Sequence, residues 1–316
     1  MDDVLDREAY LTPDELVDVA TGSRLAIDIM SAGGGLTFSR HLGVPARWTV
    51  DFTELDCHIL ARGGMDAKAV AVLFVEKGSE ATICRTPMQT GTVLIVPGGT
   101  EISACIHPGL RYATVVVPRS TWEDVESSIT GREPLAIEGP TSFILGEAAS
   151  REARSRFSAI PRPAGAGIAP ARPLPASIVG YLELVAAARA AGGTPSAEVG
   201  RAMVARTRQA WKAFEYIEAH LDEDIPISRL CRFAGASRRQ LEYAFRDVFG
   251  VGPREYLMTA RLNECRRRLA GARERGQTVT EVAFALGITH VGRFASKYRL
   301  LFGELPSDTH RRGRLS

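Results

Sequence analysis

The last third of the chain repeats itself at an offset of about fifty residues, and this repeat limits the fold more than any other feature. The stretch Ile227–Ser237 returns as Val279–Thr289, with hydroxyl, apolar and glycine positions matched. Each copy then runs into a second amphipathic stretch ending Phe-Gly, at Phe249-Gly250 and Phe302-Gly303, with proline three residues later at Pro253 and Pro306. A helix, a glycine bend, a hydroxyl cap and a second helix make a helix-turn-helix, and here the unit is written twice.

The spacing predicts the parts of each unit. Leu230, Phe233 and Ala234 recur at the three-and-four period of a buried helical face. Gly235 and Gly287 stand where the chain must bend, because a residue without Cβ takes the left-handed conformation at little cost. Ser237 is expected to cap the next helix, with Gln240 completing a capping box. In the second copy Thr278 and Glu281 form the opening box and Thr289 is the expected cap of the last long helix. Leu241, Ala244, Phe245, Val248 and Phe249 face inward, as do Phe294, Tyr298, Leu301 and Phe302. The outward positions are Arg238, Arg239, Gln240, Tyr243 and Arg246, then His290, Arg293, Ser296, Lys297 and Arg299. The offset is 52 up to the cap and 53 after it, so one residue is inserted at the start of the second outward helix.

Between the copies, residues 253–269 carry an apolar stripe of Tyr256, Leu257, Ala260, Leu262, Cys265 and Leu269 behind Pro253, which suits a first helical turn. One connecting helix of roughly 24 Å would separate the outward helices by about 34 Å, one turn of B-DNA. Charge points the same way. Residues 207–316 hold 20 Lys+Arg against 13 Asp+Glu, a net of +7, which leaves −5 for the rest of a chain whose total is +2. Such an asymmetry suits a phosphate-binding module joined to a domain that does not bind nucleic acid, although a solvated basic face would read similarly.

With these residues in view, about 208–312 resembles the DNA-binding domain of the AraC/XylS family of bacterial transcription regulators. The resemblance rests on the small residue four before each turn glycine (Cys231, Ala283), on Arg261-Leu262, and on the Phe-Gly-x-x-Pro ending of each unit. It implies two helix-turn-helix subdomains on a linking helix, a second domain that binds an effector or dimerises, promoter DNA and RNA polymerase as partners, and a homodimer. By matching position it makes Arg238, Arg239, Gln240, Tyr243, His290, Arg293 and Lys297 base-reading candidates, since arginine suits guanine edges and glutamine adenine edges. Ser237, Thr289 and Arg246 are placed for phosphate. The chain departs from the pattern at Ile288, at Pro306–Arg311, and at Val291 and Gly292, which leave the second outward helix poor in polar groups. The first unit is therefore expected to carry most of the sequence specificity.

The first half reads as short β-rich runs between turn residues: 48–52, 57–60, 69–75, 80–84, 92–96 and 112–117. Their spacing predicts a barrel or sandwich. Gly91, followed after five residues by Pro97-Gly98-Gly99, resembles the second motif of the cupin fold, with Ile102 where metal-binding cupins carry histidine. The first cupin motif is missing, and His41, His58 and His107 are too scattered along the sequence to argue for a ligand set, so no metal, cofactor or catalytic residue is expected. A small barrel can hold one small ligand. The residues that would orient such an effector are Arg40, Arg47, Trp48, His58, Arg62 and Arg111, each of which singly is better explained as a solvated edge or a core side chain.

Residues 160–175 are rich in Pro, Gly and Ala and read as a connection. The apolar helix from Ile178 is a dimerisation candidate that could equally pack back onto the barrel. No apolar run reaches membrane-spanning length, the start is acidic, and five cysteines without Cys-x-x-Cys spacing suit reduced core residues of a cytoplasmic protein. The expected fold is an α+β multidomain chain with an N-terminal segment (1–22), a cupin-like β-barrel domain followed by helices (23–158), a linker and helical dimerisation region (159–206), and an all-α domain of two helix-turn-helix subdomains joined by a linking helix (207–316). The expected function is ligand-responsive transcription regulation. The alternatives are a cupin enzyme fused to a DNA-targeting domain, or an effector-independent regulator whose first domain only dimerises.

Overall fold

A computed structural model describes residues 5–11, 25–34, 36–43, 48–134, 136–160, 167–168, 174–192, 194–195, 201–270, 272 and 275–312. The chain divides into two compact units, the first covering most of the sequence up to Glu198 and the second running from Val199 onward and also taking in the strand β2. Expected Arg47 lies outside the described residues, as does most of the Pro/Gly/Ala connection.

The strands are β1 (Leu5–Leu11), β2 (Leu25–Ile29), β3 (Leu36–Gly43), β4 (Trp48–Leu55), β5 (Ile59–Gly64), β6 (Ala69–Lys77), β7 (Thr82–Ile83), β8 (Thr86–Pro87), β9 (Thr92–Pro97), β10 (Glu101–Ile106), β11 (Leu110–Pro118), β12 (Thr141–Ile144), β13 (Gly167–Ile168) and β14 (Thr194–Pro195). Nine of them form an antiparallel sheet in the order β13-β1-β3-β4-β11-β6-β9-β12-β14, and a five-stranded sheet runs β2-β5-β10-β7-β8. Both sheets keep open ends among the described residues, so neither closes on itself as the expected barrel would. The continuous apolar runs of β6 and β9 follow from their central place: their residues are buried on both faces.

Helices α1 (Arg119–Thr130), α2 (Glu147–Ser158) and α3 (Ala176–Ala190) cover one face of the nine-stranded sheet. Val70, Val72 and Phe74 alternate toward them with Val93, Ile95, Val115 and Val117, meeting Phe157, Ile178, Tyr181, Leu182 and Val185. The Phe157 and Tyr181 rings lie 4.6 Å apart. Glu126 of α1 is buried and ion-paired with Arg189 of α3. The apolar face of α3 is therefore filled by its own unit's core, the second of the two roles open to it in the sequence.

The second unit continues with α4 (Arg201–Ala219), α5 (Ile227–Ala234), α6 (Arg238–Phe249), α7 (Pro253–Leu269), α8 (Val279–Phe284), α9 (Val291–Phe302) and α10 (Pro306–Arg312). Trp211, Phe214, Phe249 and Tyr256 form an aromatic cluster with centroids 4.9–5.6 Å apart, tying α4 and α6 to α7. Strand β2 docks on the middle of α7: the Asn263 side chain accepts from Ile29 N–H and donates to Ile29 O, each at 2.9 Å, and Arg267 pairs with buried Asp28 at 2.5 Å. Burying that strand edge without partners would cost several kcal/mol, roughly 1–3 for each peptide group, and Asn263 satisfies both.

Candidate nucleic-acid interface

Each half of the repeat folds as a helix-turn-helix, α5–α6 and α8–α9. Gly235 and Gly287 adopt φ +64° and +68°, in the left-handed region the bends require. At Gly235 an added Cβ would meet nothing within 4 Å, whereas at Gly287 it would meet the Arg261 guanidinium at 3.0 Å. Arg261 explains its own place in the pattern. From the centre of α7 it donates to Leu221 O at 3.0 Å, to Glu223 O, and to Gly287 O at 3.5 Å, joining the end of α4 to the second turn. Burial lowers its pKa, opposed by nearby Asp224 and Asp222.

The capping box at α6 is present: Gln240 N–H donates to Ser237 Oγ at 3.3 Å and Ser237 N–H to Gln240 Oε1 at 2.8 Å. So is the box at α8, where Thr278 N–H donates to Glu281 Oε2 at 2.7 Å and Glu281 N–H to Thr278 Oγ1 at 3.2 Å. The Thr278 N–H and its hydroxyl, which donates to Glu281 Oε2 at 2.9 Å, hold the Glu281 carboxyl below its ordinary pKa. The cap expected from Thr289 is not formed. The inserted residue starts α9 at Val291, so His290 takes the cap position, at φ −106°, ψ 83°, without a side-chain bond. Phe233 also departs from expectation. Ile227, Leu230 and Ala234 supply the buried stripe of α5, and Phe233, roughly 90° off that stripe at about 100° per residue, is 52% exposed and packs on Tyr216 with centroids 4.9 Å apart.

Leu241, Ala244, Phe245, Val248 and Phe249 are buried, and Arg238, Arg239, Gln240, Tyr243 and Arg246 stand on the exposed side of α6. Arg239 donates to the Tyr243 hydroxyl at 3.3 Å and lies 5.5 Å from its ring centroid, so the guanidinium rests against the tyrosine. Arg246 pairs with Glu242 at 3.2 Å. On α9, Phe294, Tyr298 and Phe302 are buried and Leu301 is half-buried, while Val291, Gly292, Arg293, Ser296, Lys297, Arg299 and Leu300 are exposed. Thr289 and His290 precede them, also exposed. Sequence reasoning missed Arg254, on the first turn of α7, which lines a groove of about 710 Å³ together with Arg238, Arg239, Tyr243 and Arg246. Its position after Pro253 in the connecting helix gave no sign that it faces α6.

The residues proposed for an effector are dispersed. Trp48 is buried in the core beneath the helices, and Arg111 pairs with Glu54 at 3.1 Å on the half-exposed rim of β11 and β4. Arg62 is half-buried on β5, His58 is buried just before that strand, and Arg40 sits on β3 opposite Asp51 of β4.

Residues 230–312 match the helix-turn-helix domain family. "XylDLEGF operon transcriptional activator 1" of Pseudomonas putida is 38% identical over 104 residues, which is 33% of this chain and 31% of that protein. "Probable thc operon regulatory protein" of Rhodococcus erythropolis is 35% identical over 96 residues, 30% of this chain and 29% of the relative. The chain thus spans about a third of the length of these two relatives. A solved "probable AraC family transcriptional regulator" from Rhodopseudomonas palustris is 34% identical, covering 34% of this chain and 97% of that one, with a TM-score of 0.32. Residues 230–312 are therefore a helix-turn-helix domain, similar in sequence to the corresponding part of named operon regulators.

Proposed function

We propose that the chain is a sequence-specific, double-stranded-DNA-binding transcription regulator whose two helix-turn-helix units enter adjacent major grooves. The observation that carries this reading is the pair of matched units on one linking helix of 17 residues, about 26 Å long at ~1.5 Å per residue, each with an exposed basic face. The relatives sharing this third are named as regulators of operons, which favours a regulatory over an enzymatic role. In this reading Arg238, Arg239, Gln240 and Tyr243 read bases, and His290, Arg293 and Lys297 add weaker readout. Ser237, Arg246 and Thr289 contact phosphate. The first unit, with its cupin-like second motif, receives a small-molecule signal. The regulator acts in the cytoplasm as a homodimer and works through RNA polymerase.

Arg239→Ala tests the core of this proposal. A bidentate base contact is worth roughly 1–3 kcal/mol, so affinity for a duplex selected from genomic DNA should fall about 5- to 150-fold. Affinity for random duplex should change little. Equal loss on both duplexes would reduce Arg239 to a phosphate contact.

A further inference from the structure

The groove beside the first recognition helix separates its arginines by what already occupies them. Arg239 is held by Tyr243, and Arg246 by Glu242. Arg238 and Arg254 are exposed, and among the described residues neither guanidinium has a hydrogen bond or an ion pair. The two come from different helices, α6 and α7, yet both line the 710 Å³ groove and a second one of about 490 Å³ beside it. Of the carboxylates on the larger groove, Glu242 is committed to Arg246 and only Glu255 remains, against four arginines. Two unoccupied guanidiniums on a shared, solvent-open basic groove fit an oxygen-rich anion better than a base edge, because a phosphate offers oxygens to donors arriving from two helices.

We infer that Arg238 and Arg254 form a phosphate clamp that holds the DNA backbone at the edge of the major groove entered by α6. This rests on the DNA-binding reading above and deepens it in two ways: Arg254 becomes a DNA contact, and Arg238 moves from base reading to backbone positioning. The clamp also gives α7 a direct hold on DNA, in addition to spacing the two units.

The test uses the full chain, with fluorescence anisotropy on a selected duplex and a random duplex of equal length across a range of NaCl concentrations. Losing one phosphate contact lowers the slope of log K against log salt by about 0.9. Arg254→Ala should therefore weaken both duplexes by a similar factor, about tenfold at low salt, and Arg238→Ala should do the same. Arg254→Gln, which keeps the length of the side chain, guards against a packing effect and should show the same slope change. An unchanged slope with wild-type-like binding overturns the clamp. So does a loss confined to the selected duplex, which would mean base reading. If wild-type chain binds neither duplex, the DNA-binding reading fails and takes the clamp with it.

Discussion

The two helix-turn-helix units share one plan and differ in how firmly their recognition helices are held and equipped. In the first, Ser237 and Gln240 lock the start of α6, whose exposed side carries three arginines, a glutamine and a tyrosine. In the second, α9 starts behind an uncapped His290, and Val291, Gly292 and Leu300 take up exposed positions. An N-cap contributes typically ~1 kcal/mol, so the start of α9 is the looser of the two. The second unit is anchored instead from behind. Arg261 reaches its turn, Tyr298 bonds Thr309 of α10 at 2.7 Å, and Arg266 lies 4.8 Å over the Phe302 ring. The pair teaches that one repeat can supply preorganised side chains for reading while its copy supplies a braced support.

The anchor is where the comparison can be broken most severely. Arg261→Ala leaves the Leu221 and Glu223 carbonyls and the second turn without their donor, and should cost about 3 kcal/mol of unfolding free energy. Urea denaturation of the full chain would measure it, and a loss no larger than that of an exposed arginine would remove Arg261 from the account. The turn glycines come next. Alanine in the left-handed region costs roughly 1–2 kcal/mol at either site, but Gly287→Ala should cost more than Gly235→Ala, since only the former pushes a Cβ against Arg261. Equal losses would show that the guanidinium moves aside freely.

The smallest effect is one of pH. The box opening α8 uses a carboxylate, Glu281, held below its ordinary pKa by the Thr278 N–H and hydroxyl, whereas the box at α6 uses the neutral Gln240. A depressed carboxyl stabilises above its unfolded pKa, and that contribution is lost as pH falls through the folded value. Acidification below the ordinary carboxylate range should therefore increase amide exchange at the start of α8 before the start of α6. Glu281→Gln should abolish the difference.

Much of the second unit was legible because local rules decide it. Two turn glycines, two capping boxes and the buried faces of α6 and α9 fall where periodicity puts them. Phe233 and Thr289 were misread for local reasons as well: a helix of eight residues has room for one narrow stripe, and one inserted residue moves a cap. What could not be read were the long-range pairings. Nothing near Asn263 announces that its amide will hold Ile29, 234 residues earlier, and nothing near Arg254 announces that it shares a groove with Arg238. In the first half of the chain, the short β10 and the polar-rich β1 carry no clear alternating run. The buried strands β6 and β9 were visible as runs, while their sheet order depended on contacts far apart in sequence.

The central claim, that two unequal units grip one duplex, is tested most directly by hydroxyl-radical footprinting of the full chain on a selected duplex. The account predicts two protected patches on one face, about one helical turn or ~10 bp apart. Arg239→Ala should erase the sequence preference under one patch, and Arg293→Ala should weaken the other with little change in preference. A single patch, or equal loss of preference from both substitutions, would contradict it.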